Sequence, residues 1–195
     1  MPRYNQTMST AAALLTLQDL LRLPEKEGVR YELIEGELVE APLAGYYHEF
    51  VKSEFHDVFG AYLRQNRIGR VFSEMLVAVG PQAGHVPDVA VVFSSRLPSP
   101  DSREPFPGSP DIVVEVVSSE EAEKLEAKMR GYFRAGCKAM LVAYPTHQTV
   151  HVYRPDGVGR ILEGDQILEL PDLLPGFQAP ASQFSNTGIP ACPQL

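Results

Sequence analysis

The chain has 195 residues, of which 44% are hydrophobic and 22% charged, enough to form one globular domain with a sizeable core and too apolar for a disordered protein. Its formal net charge of −8 weighs against a protein that coats nucleic acid, because affinity for the phosphate backbone comes from Lys and Arg. The two cysteines, Cys137 and Cys192, match no metal or disulfide framework, and no apolar run could span a bilayer. We therefore expect a cytoplasmic protein with no membrane partner.

The N-terminal part of the chain predicts a capped helix and a hairpin. After a flexible N-terminus over residues 1–15, Thr16 and Asp19 form an N-cap pair that opens a short amphipathic helix. Residues 30–40 then read as two short strands around Glu35-Gly36, where the glycine supplies the positive φ of a tight turn.

The next part of the chain predicts a long helix followed by two strands. Apolar residues at helical spacing favour a helix over residues 46–65, which we expect to end with Gly69. Strands are expected over residues 70–79 and 88–93, with a turn between them at Gly80-Pro81 and Gly84. Residues 94–110 are rich in Pro, Ser and charge, which indicates a mobile loop.

The C-terminal half alternates strands and a helix. An apolar strand over residues 112–117 precedes an amphipathic helix over residues 120–135, for which Gly136 is a well-placed C-cap residue. Further strands are expected over residues 139–144, 149–153 and 160–163. We predict an α/β protein with a mixed β-sheet flanked by helices, one domain over residues 16–177 and a flexible tail over 178–195.

Glu115 is the most informative polar residue, since it interrupts the apolar strand over residues 112–117. A strand this apolar is usually covered on both faces, and a buried carboxylate is costly unless it is paired, protonated or bound to a metal. An exposed strand end, where Glu115 simply meets water, explains the residue about equally well.

Asp88 opens another apolar strand, so two strand-end carboxylates could meet and offer the oxygen ligands that hard divalent cations prefer. A turn residue after Pro87 is the plainer interpretation. The same Pro-Asp pattern recurs at Asp111, which we interpret as a loop-to-strand cap.

Three further residues are candidates for the same region. Lys128 flanks the buried stripe of its helix and could reach over the sheet end, although a solvated helix charge is the commoner role. Glu32 lies in the hairpin and could point to the same side as the other acids. His48 opens the long helix, where a lone histidine is more often packed or hydrogen-bonded than a ligand.

These motifs occur in an order that resembles the Uma-two family of restriction-endonuclease-like proteins, within the PD-(D/E)XK superfamily. The resemblance covers residues 16–177 and is carried by the following segments of the chain: Leu23-Pro24-Glu25, Tyr31-Glu-Leu-Ile-Glu-Gly36, His48, Val86-Pro-Asp88-Val, Pro110-Asp-Ile-Val-Val-Glu-Val116, Lys128 and Tyr132-x-Arg-Ala-Gly136. It implies a bacterial protein with a restriction-endonuclease-like core.

The resemblance also implies roles for individual residues. Asp88 and Glu115 would bind Mg²⁺ or Mn²⁺, helped by a strand carbonyl such as that of Val116, and Glu32 matches the family's upstream acid. The superfamily lysine usually lies two residues after the glutamate, where this chain has Val117. In the family it is on the following helix, where Lys128 stands.

The chain departs from the family pattern at two places. It has Ser118-Ser119 where the family often has Ser-Pro, and Lys124-Leu125 where the family often has an aspartate about one turn before the lysine. The second change bears on how Lys128 is oriented.

The favoured hypothesis is therefore a Mg²⁺-dependent endonuclease acting on DNA, with catalytic residues Glu32, Asp88, Glu115 and Lys128. Candidate phosphate contacts are the arginines of residues 64–70 together with Lys124, Arg130 and Arg134. The alternatives are a nuclease-fold binding or regulatory protein without turnover and, less favoured, a homodimer joined through the C-terminal strands.

Overall fold

The computed structural model of the protein describes residues 14–24, 26–42, 44–117 and 122–184. In chain order the elements are α1 Leu17–Leu20, β1 Val29–Ile34, β2 Glu37–Pro42, α2 Tyr46–Asn66, β3 Gly69–Ser73, β4 Val77–Gly80, β5 Ala83–His85, β6 Val89–Phe93, β7 Phe106–Pro107, β8 Ile112–Val116, α3 Ala122–Arg134, β9 Ala139–Tyr144, β10 Thr149–Tyr153, β11 Gly159–Glu163, β12 Ile167–Leu168 and β13 Ala179–Pro180. Short 3₁₀ helices follow β6, β9 and β13.

Two sheets form the body of the protein. The larger has the strand order β11-β10-β9-β8-β6-β3, in which β8 and β9 are parallel and the other neighbours are antiparallel. The smaller has the order β2-β1-β5-β4-β7. The predicted class, a mixed β-sheet flanked by helices, is confirmed.

The two long helices cover opposite faces of the larger sheet because successive strand residues alternate between its faces. Phe55 and Phe59 of α2 pack in one apolar cluster with Val114 of β8. Tyr132 of α3 packs in the other with the neighbouring Val113. This arrangement explains why the central strands are apolar on both faces, and why a charged residue among them must find an internal partner.

Three of the predicted helix caps and turns are confirmed. Thr16 and Asp19 form a reciprocal capping box at the start of α1. Glu35 and Gly36 have φ values of 49° and 87° and turn β1 into β2. Gly136 follows the end of α3 and has a φ of 101°. This positive φ is the backbone conformation expected of a glycine at a helix C-terminus.

The strand predicted over residues 70–79 is wrong as a single element. The chain breaks at Glu74, which has φ of 54°, and β3 and β4 on either side belong to different sheets. Gly69 does not end α2, since Arg67 is its left-handed C-cap. Gly69 instead starts β3, where a Cβ would lie 2.6 Å from the Val92 carbonyl oxygen.

Other boundaries also differ from the prediction. Gly84 lies within β5 and not in a turn, and the loop expected over residues 94–110 contains β7, which pairs with β4. The packed chain reaches Phe184, whose ring stacks on Phe55 with centroids 4.0 Å apart, and so extends past the predicted boundary at residue 177. The parts of the predicted termini over residues 1–13 and 185–195, and the predicted start of the second long helix at residue 120, lie outside the described residues.

Among the described residues, no helix combines the length and apolar character needed to cross a membrane. The strand β11 is an edge of the larger sheet and carries Ile161, whose surface is 62% exposed. Pairing of two copies through this edge stays a prediction.

Candidate active site

Four charged side chains from four elements meet at one end of the larger sheet. They are Glu32 of β1, Asp88 immediately before β6, Glu115 of β8 and Lys128 of α3, and each is at most 3% exposed. Strand register brings two of them together: Val89 pairs with Val114 in antiparallel strands, so the residues Asp88 and Glu115 lie next to each other along the ladder. All four residues singled out from the sequence are therefore neighbours.

Lys128 joins two of the carboxylates. Its Nζ atom lies 2.9 Å from Oε2 of Glu115 and 3.2 Å from Oε1 of Glu32. A buried ammonium is costly unless carboxylates compensate it, and here two do. The side chain of Lys128 thus links α3 to the carboxylates of β1 and β8.

Asp88 is fixed by two hydrogen bonds and a longer ion pair. The amide of Val116 donates to its Oδ2 atom at 2.8 Å, His48 Nε2 lies 3.1 Å from Oδ1, and Arg30 lies 3.8 Å from Oδ1. Burial alone would raise the pKa of Asp88, but the hydrogen bonds from His48 and Val116 outweigh it and hold the pKa below its ordinary value. Asp88 is therefore an anion with a fixed orientation.

Glu115 and Glu32 are also held by hydrogen bonds. The hydroxyl of Tyr132 donates to Oε1 of Glu115 at 2.8 Å, and the amide of Val86 donates to Oε1 of Glu32 at 2.6 Å. Burial, followed by the charge of Glu115, raises the pKa of Tyr132 well above its ordinary value, so the phenol keeps the proton that it donates.

His85 packs behind this network and not within it. Its ring meets that of Tyr132 edge-on with centroids 5.0 Å apart, and burial lowers the pKa of His85 to about 3. A Cβ on Gly131 would lie 2.7 Å from the His85 ring, which explains a glycine in the middle of α3. The close packing in this region depends on that glycine.

The donor set fits a hard divalent cation. Asp88 and Glu115 are adjacent carboxylates, and Mg²⁺ is usually held by one or two carboxylates, water and substrate phosphate and not by a full cage of side chains. The described part of the chain contains no group of three or more His, Cys, Asp or Glu residues placed to hold a metal ion, so the protein itself offers a pair of carboxylates and not a full cage. The amide of Val116, and not its carbonyl, contacts Asp88.

One member of the site, Arg30, was not identified from the sequence. Arg30 lies two residues before Glu32 in the same strand, and this period of two, which puts both side chains on one face, was the available signal. His48 was expected to be packed or hydrogen-bonded, which agrees with its contact with Asp88, but nothing local in the sequence indicates that the start of α2 lies beside that residue.

Of the predicted phosphate contacts, Lys124 lines a cavity with Glu35 and Arg130, and the arginines fall into two groups. A guanidinium nitrogen of Arg130 and one of Arg134 lie 3.8 and 3.4 Å from Oε1 of Glu35. This carboxylate compensates part of their positive charge. Arg64, Arg67 and Arg70 instead line a cavity of about 630 Å³ between α2 and β3.

The comparisons with known proteins agree with this fold. The model of the Uma2 family, described as "Putative restriction endonuclease", matches residues 17–182. The structure is similar to a crystal structure titled as a putative nuclease belonging to DUF820 from Anabaena variabilis ATCC 29413, with a TM-score of 0.78 and 28% sequence identity over 88% of this chain and 98% of that one. No curated protein matches the chain.

Proposed function

The chain belongs to the Uma2 family of restriction-endonuclease-like proteins, and from this premise we propose that it is a metal-dependent endonuclease that hydrolyses phosphodiester bonds of DNA. The observation that carries the proposal is the buried Lys128 between Glu32 and Glu115, with Asp88 beside them. An ammonium next to two fixed carboxylates offers the opposite charges that phosphoryl chemistry uses.

In this proposal Asp88 and Glu115 hold Mg²⁺ or Mn²⁺, with the carbonyl of Val116 as a further oxygen ligand. When bound, such an ion supplies a Lewis acid that polarises the phosphate and favours deprotonation of water. His48 and the Val116 amide keep the Asp88 carboxylate in one orientation, so the ligand is preorganised before substrate arrives.

Lys128 supplies a positive charge near the scissile phosphate. The carboxylates of Glu115 and Glu32 orient its ammonium, and Tyr132 fixes Glu115 from the other side. Because all of these side chains are buried, the charge acts in a medium of low dielectric constant, where it stabilises developing negative charge more strongly than in water.

Cleavage of supercoiled plasmid with Mg²⁺ or Mn²⁺ tests the proposal. We expect Asp88→Asn and Glu115→Gln to abolish nicking, and Lys128→Met to slow it on the order of 100-fold or more. The matched control is Glu37→Gln, which removes one carboxylate from the exposed start of β2. Nicking that survives Asp88→Asn and Glu115→Gln, or that persists in EDTA, would contradict the assignment.

A second candidate function is a nuclease-fold binding or regulatory protein without turnover. It is favoured by one observation, since all four carboxylate oxygens of Asp88 and Glu115 already have a partner inside the protein. This candidate predicts no cleavage with any divalent ion, together with binding of a partner that Asp88→Asn leaves intact.

A further inference from the structure

A groove lined by arginines lies between α2 and the edge strand β3. Arg64, Arg67 and Arg70 surround it, and its floor includes Gly60 and Phe72. A Cβ on Gly60 would lie 3.1 Å from Nη1 of Arg64, so the guanidinium lies directly over the glycine backbone. We refer to this cavity, which these five residues line in part, as the arginine groove.

The three arginines of the groove have no acidic partner among the described residues. No aspartate or glutamate is among the residues that line the cavity with them. Some other arginines of the protein are paired with acids: Arg30 and Arg96 each lie near a buried aspartate, at 3.8 and 3.2 Å. In a chain with a net charge of −8, three exposed guanidinium groups without a carboxylate form a local positive field that an anion would satisfy.

The groove is connected to the candidate active site by two elements. Arg70 pairs with Val92, near the end of β6 that is far from Asp88. At 3.3 Å per residue, Val92 lies about 13 Å from Asp88 along the strand. Arg64 lies sixteen residues along α2 from His48, which contacts Asp88, or about 24 Å away. The groove therefore lies roughly 13–24 Å from the buried carboxylates.

This distance corresponds to several nucleotides. One strand of B-form DNA advances about 3.4 Å per phosphate, so the separation spans about four to seven nucleotides. Guanidinium groups bind phosphate oxygens through paired donors in a planar fork, and Arg is accordingly the side chain best suited to phosphate recognition.

We propose that the arginine groove binds backbone phosphates of the nucleic-acid substrate about four to seven nucleotides from the bond that is cut. The inference rests on the proposed nuclease function and adds to it a second, remote contact. Because these contacts are to phosphates, the groove contributes affinity and position without reading the base sequence.

Binding of a fluorescein-labelled DNA duplex of about 15 base pairs, which is long enough to reach both sites, tests the groove. The measurement is fluorescence anisotropy of the full chain in EDTA, over a series of salt concentrations. The test variant is Arg64→Gln/Arg70→Gln. Arg67 is left unchanged because it is the left-handed C-cap of α2.

The matched control is Arg22→Gln/Arg160→Gln, which removes the same charge from exposed positions outside the groove, one of them on the opposite edge strand β11. We expect the groove variant to bind about tenfold more weakly, with a slope of log K against log salt that is smaller by about 2. The control should retain the affinity and slope of the wild-type protein.

Equal affinity and slope in the two double variants would overturn the groove assignment, as would failure of the wild-type protein to bind the duplex. Displacement of the duplex from wild-type protein by low concentrations of inorganic phosphate would also overturn it, since the groove would then be a site for free phosphate. The nuclease function is judged separately, on plasmid nicking and its loss in Asp88→Asn, so the two proposals fail by different measurements.

Discussion

The ammonium of Lys128 lies 2.9 Å from Oε2 of Glu115, although the lysine is on a helix and the glutamate is on the strand before it. Both side chains are almost fully buried. The pair therefore has two consequences that can be measured separately, one for the free energy of unfolding and one for catalysis.

Replacing Lys128 should destabilise the protein strongly. Lys128→Met keeps most of the apolar stem but leaves Glu32 and Glu115 buried without their cation, which should cost on the order of 3–5 kcal/mol in urea unfolding. Adding Glu115→Gln to this variant should recover part of that loss, because one uncompensated charge is removed, but it should not restore plasmid cleavage.

The matched control for this charge is Lys26→Met. Lys26 pairs with Glu40 at the surface, where both side chains are about half exposed, so its loss should change the unfolding free energy little. If Lys128→Met were as stable as Lys26→Met, the buried ion pair would have no structural role.

His48 should matter for metal affinity. Its Nε2 atom lies 3.1 Å from Oδ1 of Asp88 and fixes that carboxylate, so we expect His48→Ala to raise the Kd for Mn²⁺ about 10- to 100-fold in calorimetric titration. His56→Ala is the control, because His56 lies two turns further along α2, beside the exposed Asp57. Equal Kd values for the two variants would mean that His48 does not position the ligand.

The carboxylate pair has a local signal in the sequence, but that signal alone did not decide between a site and an exposed strand end or turn, and the resemblance to the family favoured the pair. An acid inside the apolar run 112–116, and another at the start of the run 89–93, must be compensated wherever those strands are buried. The hairpin at Glu35-Gly36 was predictable from a local signal, since the turn residues themselves determine the backbone conformation.

The features that were missed depend on contacts between distant segments. Nothing near Glu74 in the sequence indicates a chain break, but its carboxylate pairs with Arg30 and Lys52, and these contacts offset the cost of its positive φ. Likewise, Phe184 is ordered because its ring packs on Phe55, more than a hundred residues earlier.

Asp111 should make the stability of the protein depend on acid pH. Its buried carboxylate lies 3.2 Å from Arg96 and 3.0 Å from Lys138, and it accepts a hydrogen bond from the Phe93 amide at 2.8 Å. Burial would raise the pKa of Asp111, but the amide and the two cations outweigh it and lower the pKa. The stabilisation is therefore present above the unfolded-state pKa of about 3.9 and is lost as the pH falls through the lower folded-state value.

We expect Asp111→Asn to lower the free energy of unfolding at pH 7 on the order of 2 kcal/mol and to flatten its decline between about pH 5 and pH 3. Urea unfolding at several pH values measures both effects. The control is Asp165→Asn, at an exposed position in the turn before β12, which should follow the wild-type curve. A variant at Asp111 with the wild-type pH slope would contradict the assigned role of the carboxylate.

Gly131→Ala should improve helix propensity but worsen packing, and we expect the packing effect on stability to be the larger. Alanine is favoured over glycine inside a helix by about 1 kcal/mol, but the new Cβ would lie 2.7 Å from Cε1 of His85. The ring is 1% exposed and packs against Tyr132, so it has little room to move. Overpacking of this kind costs about 1–3 kcal/mol, and we expect a net loss of stability in thermal unfolding.

In a His85→Ala background the obstacle is gone, so the same Gly131→Ala change should raise stability through propensity alone. Equal destabilisation in both backgrounds would mean that contact with His85 is not the reason for the glycine.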